Sequence, residues 1–185
     1  MDRNRFICIP VALPALLMAF LALFNSNSLR AGEVEIVGSE RFSNQVSQAV
    51  LLLKARDTNA YAILTNYVGR IQQGEHSGMW AYRTPPTFEM NDATAFYSVT
   101  WCAAVIAHDS FHSKLYHEYQ NAHPGAVPDD VWTGTAAEQQ CMKHQLAAME
   151  HIGASKSEID YARKQADGHY VKNNETWEDY NKRSW

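Results

Sequence analysis

From Phe6 to Phe24 the chain carries no charged residue, and beyond Glu40 apolar positions return every three or four residues, the spacing of one face of a helix. Phe42, Val46, Ala49, Val50 and Leu53 form such a stripe behind Gly38-Ser39-Glu40, so a first helix is expected through Ala55. Asp57 is placed to cap a second, whose stripe reads Tyr61, Leu64, Val68 and Ile71. The polar stretch 72–78, with two glycines, ends it, and the two helices read as a packed hairpin. The rhythm then changes. Residues 79–82 and 87–90 are short β-like runs around Pro85-Pro86, and proline confines such runs to an edge or a turn.

Asn91-Asp92 opens the longest predicted helix, residues 93–119, with Asp92 as its cap. From Phe96 to Ala107 it is apolar on nearly all sides, which places it in the middle of a domain. Residues 121–134, with Pro124, Gly125, Pro128 and Gly134, read as a loop. A helix from Thr135 to Ile152 is closed by Gly153, and Ser155-x-x-Glu158 is a capping box that starts the last helix, ending near Asp167-Gly168. The expected fold is α+β and predominantly helical: five or six helices around one long buried helix, with a small edge strand or hairpin.

The uncharged run of residues 6–24 follows Arg3 and Arg5 and precedes a polar stretch rich in small residues, the order of a secretory signal. Cleavage after Ser28 or Ala31 is expected. At 19 residues the run is also long enough to serve as a retained membrane anchor, although Pro10 and Pro14 weaken that reading. Either way residues 32–185 are expected to be exported, periplasmic or secreted, as a single domain. Of the 16 Lys and Arg and 20 Asp and Glu, Arg3, Arg5, Arg30 and Asp2 belong to the leading segment, so the remainder carries 13 basic against 19 acidic side chains. That balance argues against nucleic acid as a partner.

The chemistry sits in Ala107-His108-Asp109-Ser110-Phe111-His112, on the buried helix. Histidines at i and i+4 lie about 40° apart around a helix and one turn along it, so both imidazoles reach one ion. Zinc takes such ligands in a tetrahedron, and a hydrolytic site uses three of them plus water. His117 lies some 140° away around the helix and points elsewhere. Glu138, near the start of the following helix, is the better third ligand. Cys102 on the histidine helix and Cys141, one turn after Glu138, suggest a disulfide clamping the two helices, closing a loop of about 40 residues worth roughly 4 kcal/mol. Two buried free thiols are the alternative.

His108-Asp-Ser-Phe-His112 followed by Glu138 resembles the gluzincin type of zincin metallopeptidase, His-Glu-x-x-His with a downstream Glu. The resemblance covers about residues 79–152, including the β-run that precedes the histidine helix. It implies a zincin-like core, Zn2+ held by His108, His112 and Glu138, Asp109 in place of the general base, and a peptide or protein substrate lying along Trp80, Ala81 and Tyr82. The chain departs from the family at Asp109. Aspartate is one methylene shorter than glutamate and reaches about 1 Å short, a misplacement that can cost around a hundredfold in rate.

Other readings of these residues stay open. The histidines could be hydrogen-bonded core residues, Thr135-x-x-Glu138 could be a capping box, and Asp109 could orient a ligand and not act as a base. His169, after the last helix, is a candidate donor to the oxyanion of the transition state. The leading expectation is an exported zinc-dependent hydrolase of peptide or amide bonds. Its rivals are a non-catalytic metal-binding domain of the same shape and a metal-free, disulfide-stapled helical interaction domain. Ligand type alone favours zinc over iron, manganese or nickel.

Overall fold

Short strands and long helices interleave in the first half of the chain. The computed structural model describes residues 28–31 and 34–169, with side chains from 34 to 165. Strand β1 (Ser28–Ala31) pairs antiparallel with β2 (Val34–Val37). Helices α1 (Glu40–Arg56) and α2 (Thr58–Tyr67) follow, then β3 (Arg70–Gln73), β4 (Gly78–Trp80) and β5 (Thr87–Met90). The remainder is helical: α3 (Asp92–Ala95), α4 (Val99–Ala122), α5 (Asp129–Trp132), α6 (Thr135–Ile152) and α7 (Lys156–His169). The architecture is thus mixed α+β and mostly helical. Of the expected signal or anchor, residues 1–31, only 28–31 are described, in β1, and the rest lies outside the described residues, within which no helix is long and apolar enough to cross a membrane.

The sheet runs in the order β1-β2-β3-β5-β4. Strands β2, β3 and β5 are parallel, and β4 is antiparallel to β5. A parallel pair needs a crossover, and α1 with α2 supplies the one between β2 and β3. Ile36, Ile71, Phe88 and Met79 stand in register across four strands, all buried. This row explains why Ile71 leaves the helix that its spacing predicted. Helix α2 stops at Tyr67, Gly69 follows, and Ile71 fills the middle of the sheet.

Local signals set most helix ends. Ser39 caps α1 by accepting from Phe42 N at 3.2 Å, and Asp57 Oδ1 caps α2 by accepting from Ala60 N at 3.0 Å. Gly153, at φ 75°, closes α6 in the left-handed region, and Ala154 N–H donates back to the Met149 carbonyl at 2.9 Å. The long helix begins later than its pattern suggests. Asn91 caps the short α3, and Ser98 then caps α4 by accepting from Trp101 N at 2.8 Å.

Helix α4 is the hub. It packs against α1, α2, α3, α5 and α6 and against strands β4 and β5. Every residue from Trp101 to Ser110 is buried. Ala103, Ala104 and Ala107 allow close approach there, whereas His108 and Asp109 bring ionisable groups into the same depth.

Helix α7 is pinned to the start of α4 by Glu158. Its carboxylate accepts from the hydroxyls of Ser98, Thr100 (2.8 Å) and Ser155 (2.7 Å) and from Ser155 N–H (2.8 Å). Burial works against the charged carboxylate, but these hydrogen bonds outweigh it and hold its pKa below the ordinary 4.5. Glu158→Ala should therefore lower stability by about 2 kcal/mol at neutral pH. Because the folded pKa is depressed, this contribution is full above pH 4.5 and lost as pH falls through the folded value. Urea unfolding of both proteins should show the difference at pH 7 and a smaller one in acid; a gap that does not narrow would contradict this account.

Candidate metal centre

The two helices in most extensive contact, α4 and α6, bring the chemistry together. From α4 come His108, Asp109 and His112; from α6 come Glu138, Cys141 and Gln145, and all six are buried. The Nε2 atoms of His108 and His112 face each other at 3.0 Å. Glu138 Oε2 lies 3.4 Å from His108 Nε2 and 3.6 Å from His112 Nε2. Ligand atoms at zinc bond lengths of about 2.0–2.2 Å in a tetrahedron stand about 3.3–3.6 Å apart. The triangle is therefore close to the size one small cation requires.

Cys141 joins from the same helix face as Glu138, three residues on. Its Sγ and one nitrogen each of His108 and His112 lie within 4.8 Å of one another, so this group could hold a metal ion. Sequence reasoning assigned Cys141 to a disulfide, which is corrected here. Cys102 and Cys141 are both free. The thiol of Cys102 contacts Met90 Sδ at 3.7 Å, toward the sheet. Cys141 sits beside His112, ten residues and about 15 Å further along α4, far beyond the reach of a disulfide.

The capping-box reading of Glu138 also fails. Gly134 precedes α6 without any side-chain cap, and Glu138 turns inward to the histidines. His112 is oriented by a contact that no motif announces. Its Nδ1 donates to the backbone carbonyl of Trp132 at 2.5 Å, which turns Nε2 toward His108 and Glu138. The one-turn helix α5 positions that carbonyl, inside a stretch expected to be plain loop. His108 Nδ1 is buried without a hydrogen-bond partner.

The buried groups are strongly coupled. Burial opposes charge on Glu138, but the imidazoles of His112 and His108 overcome it and hold the carboxyl well below its usual range. Burial likewise opposes a charged His112, and Cys141 and Glu138 reverse that, raising it well above the usual histidine value. Asp109 is pushed up to about 6 by burial, with Glu138 adding to the rise and the two histidines pulling the other way. Burial raises the Cys141 thiol. Two carboxylates, a thiol and two imidazoles share one dry space, and a divalent ion would neutralise what a single proton cannot.

Beside this cluster is a cavity of about 30 Å³, room for a water or two by the usual measure. His108, Asp109 and Glu138 line one side, and Trp101, Val105 and Met142 the other. Gln145 lines it too, as does Ser77 just ahead of β4. Strand β4 stands at one end of the sheet order. It stops at Trp80, so Ala81 and Tyr82 lie in the turn beyond. Ala81 is fully buried, Trp80 donates through Nε1 to Glu89 at 2.9 Å, and Tyr82 is exposed with its ring edge toward Trp132 at 6.2 Å.

His117 faces away from the site, stacked on Tyr67 and edge-on to Tyr116. His144 packs against Phe111, and His151 pairs with Asp57 at 2.9 Å. His169 ends α7, and its side chain lies outside the described residues.

No family model, curated protein or solved structure matches the chain. The site therefore stands on its own geometry.

The thiol correction is directly testable. Protein unfolded without reductant should show both Cys102 and Cys141 reacting with a thiol reagent, and prior reduction should add no further thiol. A gain of two on reduction would restore the disulfide.

Proposed function

We propose that the chain is a zinc-dependent hydrolase of peptide or amide bonds, built like a gluzincin and working outside the cytoplasm. The observation that carries this reading is the triangle of His108, His112 and Glu138 donor atoms at 3.0, 3.4 and 3.6 Å. Asp109 stands next in sequence to the first ligand and on the wall of the adjoining cavity. The order of an antiparallel edge strand, a buried histidine helix and a glutamate helix supports the same reading. The leading apolar run of residues 6–24 supports export.

In this reading His108, His112 and Glu138 hold the ion, and the Trp132 carbonyl keeps His112 in the tautomer that can do so. When bound, zinc would polarise the scissile carbonyl and lower the pKa of a water beside it. Asp109, on the wall of the adjoining cavity, would serve as the base that accepts a proton there. An extended peptide lies along β4 and borrows the hydrogen-bonding groups of that strand's outer edge. The cavity between Asp109 and the apolar wall of Trp101, Val105 and Met142 has room for the attacking water.

Metal analysis of purified protein should give about one zinc per chain, falling well below that in His108→Ala and Glu138→Ala. A chelator should lower the melting temperature of the wild type and leave those two variants unmoved. Protein that stays metal-free after zinc is supplied would end the hydrolase reading. In a peptide-library assay, Asp109→Asn should lose at least about a hundredfold in kcat, and Asp109→Glu should equal or exceed the wild type. Equal rates in Asp109→Asn and wild type would remove Asp109 as the base.

A further inference from the structure

Cys102 and Cys141 are both buried free thiols, but their surroundings differ in kind. Cys102 sits among apolar groups, with Met90 sulfur 3.7 Å away, as a small hydrophobic side chain would. Cys141 is fully buried among His108, His112 and Glu138, none of which an inert thiol needs as a neighbour. Three donors leave one corner of a zinc tetrahedron for water, whereas four protein donors close it, and closed sites hold their metal without turning it to hydrolysis. Helix α6 delivers both remaining donors. Glu138 and Cys141 are three residues apart, so one helical face presents a carboxylate and a thiol to the same histidine pair.

We infer that Cys141 is a fourth ligand of this centre, so that the protein rests with its metal closed off by two imidazoles, one carboxylate and one thiolate. The inference depends on the metal-site reading above and deepens it. Thiolate and water compete for one corner, so hydrolysis requires Cys141 to swing out of the coordination sphere. The move is a side-chain rotation, with no bond made or broken except that to the metal. The cavity lies against Glu138 and Met142, the residue next to Cys141, so the room for the water that would replace the thiolate adjoins the same stretch of α6. The resting chain is then a latent hydrolase, which substrate binding would open by turning Cys141 aside.

Cobalt is a direct probe, because a thiolate bound to cobalt gives an intense near-ultraviolet charge-transfer band that nitrogen and oxygen ligands do not. Cobalt-loaded full-length protein should show the band. Cys102→Ser should keep it, and Cys141→Ser should lose it while still binding one cobalt per chain. Cobalt bound to the wild type without the band would overturn the inference and leave the three-ligand hydrolase standing. Failure of every form to bind cobalt would overturn both. Latency has its own readout: Cys141→Ala, loaded with zinc, should hydrolyse a peptide library at least about tenfold faster than wild type, the effect of removing a 1.4 kcal/mol preference for the closed form. An unchanged rate would overturn latency.

Discussion

Burying ionisable groups in a helical stretch that has no solvent-facing side is the constraint on which the rest of this structure turns. Residues 101–110 of α4 are out of water on every side, and two of them, His108 and Asp109, are ionisable. A lone buried charge costs several kcal/mol unless it is paired. The chain meets that cost by bringing in Glu138 and Cys141 from α6 and by satisfying His112 with the carbonyl of Trp132. The arrangement of α4, α5 and α6 is therefore dictated as much by the polar residues inside as by apolar contact around them. Their convergence, with Glu138 oxygen within 3.6 Å and Cys141 sulfur within 4.8 Å of the imidazole nitrogens, is the compensation, and the same group could hold a metal ion.

The sheet and the α1–α2 crossover give this helix pair a fixed floor. The buried row of Ile36, Ile71, Phe88 and Met79 ties four strands together, and β4 and β5 meet α4 directly. At the start of α4 a second polar knot, Glu158 with Ser98, Thr100 and Ser155, fastens α7. Helix α4 is held by polar contacts at its start and near its middle, with small alanines between. Such a helix has little freedom to slide, and the donors it carries stay in register with α6.

The helices were largely legible because their ends carry local signals. Ser39, Asp57, Gly153 and the Ser155–Glu158 box are each a short-range hydrogen-bonding device, readable without the fold. Strands β2 and β3 were not, because four residues are too few to show alternation, and Ile71 continues the helical spacing that ends at Tyr67. At the site, His108 and His112 follow from helical spacing, and Glu138 from its place on the next helix. The role of Cys141 was misread. Proximity of two helices was inferred correctly, but cysteine pairing depends on positions along them, and Cys102 lies ten residues before the contact that matters. The Trp132 carbonyl had no sequence signal at all, since every residue type has one.

That last point reaches beyond chemistry to how the chain can vary. The group that orients His112 belongs to the backbone, so it is indifferent to which side chain occupies position 132 and sensitive to where the peptide unit sits. Substitutions at the exposed, non-glycine positions of residues 123–131 should be absorbed whenever α5 keeps its turn, unlike at buried Trp132 or at Gly134, where a Cβ would meet the Asp130 carbonyl at 2.8 Å. An insertion or deletion of a single residue there would swing the carbonyl away from the imidazole. The connection between the two ligand-bearing helices is thus loose in spelling at its exposed positions and fixed in length, the reverse of an ordinary surface loop.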